Sequence, residues 1–309
     1  MALDIDHTLT GDGLAVPPAN AEAVAWVLGR GVPVTLITGR RYAGSAARYA
    51  DLLDLRGPLG VHYGRRIVDH PSGRIVSSHP LPRGAARAML TTARAYPGSL
   101  VSVAVGDDLR FDRVPPGWVT LPLAQFSYGG LDEAIAEHPD ELMLLNVADL
   151  PEGPADTWAE DEEAGNRLDL GDLSPSRGAS TQDGPLSGSA VDPPPPVVRA
   201  VMAEAQRLFP GQIQFYLVPW AGKPRALATA LSAAADKGTA LLEIARLHGV
   251  HPDDTVAMGD SEADVPMLRA AGLGVAMPWS AEEVRHEADL VAEGGPDEAV
   301  ARAIRRLFG

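Results

Sequence analysis

Four places in the sequence carry side chains that could do chemistry. The first is Leu3-Asp4-Ile5-Asp6-His7-Thr8-Leu9-Thr10, where two carboxylates stand two residues apart directly after an apolar start. At the tip of a strand they project into one crevice; read alone, the pair also fits an acidic turn. The second is Thr38-Gly39-Arg40, where a hydroxyl and free backbone N–H groups meet a helix N-terminus and suit an anion, or simply cap that helix. The third is Lys237, an ammonium in the first turn of a helix. It opposes the helix dipole, a small cost that a structural residue has no reason to bear; an ordinary surface lysine is the alternative. The fourth is Gly259-Asp260-Ser261-Glu262-Ala263-Asp264, an acidic loop that could equally be a helix cap.

The elements that must position these groups alternate between strand and helix. Asn20 is expected to cap a helix with Ala23, Val24, Val27 and Leu28 on one face, ending near Gly31. Val32–Thr38 is an apolar, β-branched run that reads as a buried strand. The last third repeats the pattern: a helix over Lys237–His248, a strand over Thr255–Met258, a helix over Glu262–Ala271 and a strand over Leu273–Met277. A Ser280/Glu283 capping box opens a further helix, followed by a strand over Ala288–Ala292 and a helix over Pro296–Phe308. Such alternation implies an α/β fold with a doubly wound, mainly parallel, Rossmann-like sheet. Sheets of that kind bind ligands at the carboxyl ends of their strands, which is where the four clusters fall.

Composition narrows the function. A chain of 309 residues suits two domains, and 45% hydrophobic residues suffice for a substantial core. Cysteine is absent, which removes disulfides, thiolate catalysis and cysteine-ligated zinc. A net charge of −15 argues against nucleic acid as a partner. It does not oppose a small anion, because a divalent cation can reverse the local field. No apolar run approaches the roughly 18 residues of a membrane span. The N-terminal residues also lack the basic flank of a signal peptide, so no membrane association and a cytoplasmic address are expected. Residues 149–192 hold eleven Asp or Glu against two Arg, and Pro193–Pro196 closes the stretch. Residues 150–196 are therefore expected to form a disordered insertion.

Taken in order, LDIDHTLT, VTLITGR, DKGTALLEIARLHGV and VAMGDSEADVPMLRAAG resemble the motifs of the haloacid dehalogenase superfamily of phosphohydrolases. The likeness is strongest to the Cof-type branch, with a large cap between the second and third motifs. It implies a hydrolase core of residues 1–80 and 226–309, and an inserted α+β cap over 81–225 that supplies substrate contacts. It further implies a magnesium-dependent phosphoric monoester hydrolase. Asp4 would then attack phosphorus and become an aspartyl-phosphate, while Asp6 protonates the leaving alkoxide and later activates water. Thr38 and the Gly39 N–H would hold the phosphoryl group, and Lys237 would offset charge on Asp4 and the phosphate. Mg2+ would be held by Asp4, the backbone carbonyl of Asp6 and Asp260, with Asp264 in support behind them.

The substrate implied is a small phosphorylated metabolite, a sugar phosphate first, with nucleotide or cofactor phosphates after it. Protein partners are left unknown: Pro193–Pro196 could serve as a polyproline ligand, with a plain stiff spacer the favoured reading. A phosphosugar mutase and a catalytically silent scaffold on the same fold are the alternatives, the scaffold drawing support from the acidic insertion and from departures within the motifs. His7 stands where the family usually has Gly, and Ala263 replaces a common Asn. Pro278-Trp279 occupies the stretch where relatives often place an Asn-Ala near the substrate. Only Met1-Ala2-Leu3 precede Asp4, fewer than the roughly five or six residues usual for a central strand, which points to a start further upstream. Of the tryptophans, Trp220 and Trp279 are the candidates to lie near the cleft. In the cap, helices are expected over Arg83–Tyr96, Leu131–His138 and Val197–Phe209, with strands at Leu100–Val105, Leu142–Val147 and Ile213–Val218.

Overall fold

The computed structural model of the chain describes residues 1–113, 127–149, 193–220 and 223–309. Two compact units divide it, Met1–Ser78 with Ala235–Gly309, and His79–Ala234. The first unit begins with β1 (Ala2–Leu3), α1 (Pro18–Leu28), β2 (Thr35–Leu36) and α2 (Ala47–Leu52), then β3 (Gly57–Val61), β4 (Arg66–His70) and β5 (Arg74–Ser78). The second unit holds α3 (Ala85–Ala93), β6 (Ser99–Val105), β7 (Asp108–Phe111), β8 (Ser127–Tyr128) and α4 (Leu131–Glu137). It continues through β9 (Leu142–Asp149), α5 (Pro196–Leu208), β10 (Ile213–Trp220) and β11 (Lys223–Ser232). The chain then returns to the first unit with α6 (Lys237–Leu247), β12 (Val256–Gly259), α7 (Val265–Ala270) and β13 (Leu273–Ala276). It ends with α8 (Glu282–His286), β14 (Leu290–Val291) and α9 (Ala299–Phe308).

The doubly wound sheet has the order β14-β13-β12-β1-β2, and every neighbouring pair is parallel. Its strands are covered on both faces, so alternate residues feed two separate cores. Leu3, Leu36, Met258 and Val275 pack with Val24 and Val27 of α1 and Val300 and Ile304 of α9. Ala2, Ile37, Ala257 and Ala276 pack instead with Leu241 and Ile244 of α6 and Met267 and Leu268 of α7. The strand order reverses at β1, since β2 lies on one side of it and β12 on the other. The crevice beyond the carboxyl end of β1 is thus a topological switch point.

Several local expectations are corrected. Pro17 and Pro18 start α1, with the fixed φ of proline suited to the first helical position. Asn20 is therefore not its cap. It lies buried in the first turn, Nδ2 donating to the Leu9 carbonyl at 3.1 Å and Oδ1 accepting from the Ala301 N–H at 3.0 Å. Ser280 does not cap α8 either; that helix begins behind Ala281 without a side-chain cap. The strand expected over 32–38 is regular only at Thr35–Leu36, with Ile37 bridging to Gly60. The helix expected over 262–271 opens as a 3-10 turn, Glu262–Asp264, before α7.

An antiparallel sheet, β3-β4-β5, was not foreseen. The second unit carries a six-stranded sheet, β10-β11-β9-β6-β7-β8, antiparallel except for the β7–β8 pair. Met89 and Leu90 of α3 and Val198 and Val201 of α5 pack against it. This unit runs to Ala234, beyond the expected boundary after residue 225, because β11 pairs with β10 as far as Ser232 and with β9 as far as Leu231. The expected insertion at 150–196 lies outside the described residues except for Pro193–Pro196, where Pro195 precedes α5 and Pro196 opens it. Among the described residues, no helix is long and apolar enough to cross a membrane.

Candidate active site

The carboxyl ends of β2, β1 and β12 lie side by side, with Leu3 opposite Leu36 on one flank and Met258 on the other. The Asp4 N–H continues the ladder to the Met258 carbonyl at 3.0 Å, so Asp4 is the first residue beyond β1 whose side chain can serve the crevice. Asp4 is buried, at 4% exposure. Lys237 is buried too, and its Nζ donates to Asp4 Oδ1 at 2.6 Å and to Asp264 Oδ1 at 2.5 Å. A capping box fixes the start of α6: Thr239 N–H donates to Asp236 Oδ1, and Asp236 N–H donates to Thr239 Oγ1, each at 2.8 Å. That box satisfies the first turn of the helix and frees Lys237 to turn inward.

Asp264 is held from behind. Its Oδ2 accepts from the Asp260 N–H at 3.1 Å, the Ser261 N–H at 2.9 Å and the Ser261 hydroxyl at 2.7 Å. The acidic loop is thus both helix cap and site. Gly259 is required by this close approach, because a Cβ there would stand 2.5 Å from Asp264 Cγ. Thr8 donates its hydroxyl to Asp260 Oδ1 at 3.0 Å.

Asp6 points elsewhere. Its carboxylate takes a forked pair from Arg40, Nε to Oδ2 at 2.9 Å and Nη2 to Oδ1 at 2.5 Å. Arg40 is itself buried, with Nη1 on Ser45 Oγ at 3.1 Å and its guanidinium over the Tyr49 ring. Sequence reasoning gave Arg40 no role. The signal was present, since an arginine at the end of one strand beside carboxylates at the end of the next is a ready planar fork. Thr38 is fully buried beside β1, its N–H on the Gly60 carbonyl and its carbonyl accepting from the Tyr63 N–H. Its Oγ1 accepts from the Arg40 N–H at 3.2 Å, across Gly39. Trp279 donates its indole N–H to the His7 carbonyl at 2.8 Å, which brings together two of the departures noted in the sequence. Trp220 lies on β10 of the second unit.

Carboxylates outnumber cations here. Burial, reinforced by Asp264 and Asp6, pushes the Asp4 carboxyl up to about 8 against the pull of Lys237. Burial likewise pushes Asp260 well above the usual carboxylate range, with Asp264 and Asp4 adding to it. On Lys237 burial acts downward, but Asp264 and Asp4 outweigh it and hold the ammonium charged. The Lys237 ammonium, shared between Asp4 and Asp264, does not fully offset the burial of Asp4, whose carboxyl stays high without a cation.

A divalent cation fits this charge balance. Asp4, Asp260 and Asp264 each offer a carboxylate oxygen within 4.8 Å of the others. With Asp6 matched by Arg40, three carboxylates face one ammonium. Both Asp264 oxygens are occupied by donors, whereas one oxygen each of Asp4 and Asp260 meets no donor among the described residues. Asp4 and Asp260 are the side chains left open to a hard cation.

The family model described as haloacid dehalogenase-like hydrolase matches residues 1–109 and 205–304. A phosphoglycolate phosphatase of Methanopyrus kandleri is 47% identical over 73 residues, 24% of this chain and 32% of that protein. The chain spans about a third of the length of the curated relatives it matches. Among solved structures, a haloacid dehalogenase-like hydrolase from Bacteroides thetaiotaomicron aligns with a TM-score of 0.71 at 18% identity, covering 99% of this chain and 98% of that one. A HAD subclass IIB sugar phosphatase aligns with a TM-score of 0.67 at 17% identity, covering 99% and 97%. At such identities the likeness is one of fold.

Proposed function

The chain belongs to the haloacid dehalogenase-like hydrolases, and from that premise we propose that it is a magnesium-dependent phosphatase acting on a small phosphorylated metabolite through an aspartyl-phosphate at Asp4. The observation that carries this reading is the arrangement at the switch point. A buried lysine spans Asp4 and Asp264, while Asp4 and Asp260 each keep an oxygen without a donor among the described residues. Asp4 attacks phosphorus as the ester P–O bond breaks. Lys237 together with the bound cation would hold Asp4 ionised, and Lys237 offsets negative charge on the transferring group. Thr38 and the Gly39 N–H, at the end of the neighbouring strand, receive the phosphoryl oxygens.

Asp6 gives a proton to the leaving alkoxide and then takes one from the water that opens the aspartyl-phosphate, releasing phosphate and restoring Asp4. The Arg40 fork orients the Asp6 carboxyl. Magnesium, held by Asp4, Asp260 and the Asp6 carbonyl, would neutralise charge between the nucleophile and the phosphate dianion. Asp264 positions Lys237 and the loop that presents Asp260.

Sugar phosphates are the first substrate class to test, with nucleotide and cofactor phosphates after them. The test is phosphate release from a panel of phosphorylated metabolites, with magnesium and with chelator. Release that depends on magnesium and favours one class supports the reading. A panel without release, or release indifferent to chelator, overturns it.

A further inference from the structure

The turn at residue 7 divides two contacts of the site. On its near side Asp6, in extended conformation at φ −71° and ψ 132°, is forked to Arg40 behind β2. On its far side Thr8 donates to Asp260 behind β12. Between them His7 has φ 54° and ψ 3°, the left-handed region in which a side chain is strained and glycine is at ease. A relaxation of residue 7 to negative φ would swing the segments on either side of it, and with them both contacts.

The carbonyl of this strained residue is the acceptor of the Trp279 indole N–H, at 2.8 Å. Trp279 stands in the loop after β13 and packs against the apolar cluster that includes Leu3, Met258 and Val275, so its donor is anchored to the sheet. We infer that Trp279 is a positioning residue, whose indole N–H pins the His7 carbonyl and thereby holds the left-handed turn that aims Asp6 and Thr8. The tryptophan restrains a histidine in a conformation that glycine would adopt unaided. The inference rests on the proposed function only through its kinetic consequence; the geometric claim stands apart from it.

The test is a double-mutant cycle on the full chain, comparing wild type, Trp279→Phe, His7→Gly and the double variant. The readouts are p-nitrophenyl phosphate hydrolysis at saturating magnesium, and hydrogen exchange of the substrate-free proteins by mass spectrometry. Phenylalanine keeps the aromatic packing and removes the donor. In the histidine background it should lower kcat on the order of tenfold, the equivalent of releasing one residue's left-handed strain, with KM changed less than about twofold. In the glycine background the same substitution should cost less than about threefold, since glycine populates the turn without a clamp. Exchange over residues 5–10 should accelerate in Trp279→Phe while β12 stays protected. Equal losses in both backgrounds, or no loss in the first, would overturn the inference. So would unchanged exchange at the loop, a readout that decides the matter even for a variant with no measurable turnover. If the wild type hydrolysed no phosphate ester, the proposed function would fall, and the exchange result alone would decide the role of Trp279.

Discussion

Both units bury a group of polar side chains, the second within its sheet and the first at the strand ends, and they do so in opposite ways. In the second unit, Ser102, Asn146 and Thr229 sit on neighbouring strands in one register, each nearly inaccessible. Thr229 donates to Asn146 Oδ1 at 2.8 Å, and Asn146 donates to Ser102 Oγ at 3.1 Å, so each of the three side chains finds a partner within the group. In the first unit, the buried Asp4 and Asp264 share the Lys237 ammonium, and one oxygen each of Asp4 and Asp260 faces no donor among the described residues. A closed network specifies a fold. An open one costs stability and is retained for what it can bind.

The largest effect expected from breaking the open side is at Lys237. Lys237→Met should lower kcat by about 10³, by removing preorganised charge at the phosphoryl group. It should also destabilise the metal-free protein by about 3–5 kcal/mol, through the carboxylates it leaves unpaired. Steady-state kinetics and denaturant unfolding check the two figures. A variant with near-normal turnover would place Lys237 outside the chemistry. Arg40→Ala comes next, with a loss of about 10–100-fold in kcat as Asp6 loses its aim. Arg40→Lys should recover little, because an ammonium cannot reproduce the fork.

The closed side should behave conversely. Asn146→Ala ought to cost about 1–3 kcal/mol, the penalty of stranding Ser102 and Thr229, while kcat stays within about twofold. Loss of activity at unchanged stability would erase the contrast between the units. The most gradual effect is a pH dependence, spread over several units. In metal-free protein the folded Asp4 carboxyl lies near 8, against an ordinary value of 3.8, so the folded state binds a proton that the unfolded chain releases. Stability from this group is fully present below about 4 and is lost as pH rises through 8, on the order of 1 kcal/mol per unit. Thermal melts in chelator should therefore fall between pH 6 and pH 8, and magnesium should flatten the trend. Asp260→Asn should raise the melting temperature of the metal-free protein at pH 8. A chelated melting temperature that climbs with pH, or an Asp260→Asn protein less stable than wild type, would show that the carboxylates are not strained together.

The same contrast decides what could be read without a structure. Parallel strands buried on both faces read as apolar runs that stop abruptly at polar residues, which made the ends of β1, β2 and β12 visible in the sequence. The type of fold was legible for that reason, and so was the expectation that the clusters meet at strand ends. Caps were read less well. Asn20 looked like an N-cap, but Pro17 and Pro18 already start α1, and a buried tie to Leu9 and Ala301 uses its amide. The β3–β5 sheet escaped because Gly57-Pro58-Leu59-Gly60-Val61 carries residues that normally demote a strand. The role of Arg40 escaped, and so did the tie from Trp279, itself singled out as a cleft candidate, to His7, because Asp6 and the His7 carbonyl are distant in sequence and meet them only through sheet order.

The central claim is that Asp4 is the nucleophile of an open site and Asp6 its proton carrier. The direct measurement is intact-protein mass spectrometry, with rapid-quench kinetics, of Asp4→Asn and Asp6→Asn mixed with p-nitrophenyl phosphate and with a sugar phosphate. Asp4→Asn should turn over neither ester and gain no mass. Asp6→Asn should fail with the sugar phosphate, whose alkoxide cannot leave unprotonated. With the aryl ester it should release a burst of nitrophenol and accumulate a phosphate adduct on Asp4, because the water of the second step lacks its base. Turnover by Asp4→Asn, or equal impairment of both esters in Asp6→Asn with no adduct, would contradict the account.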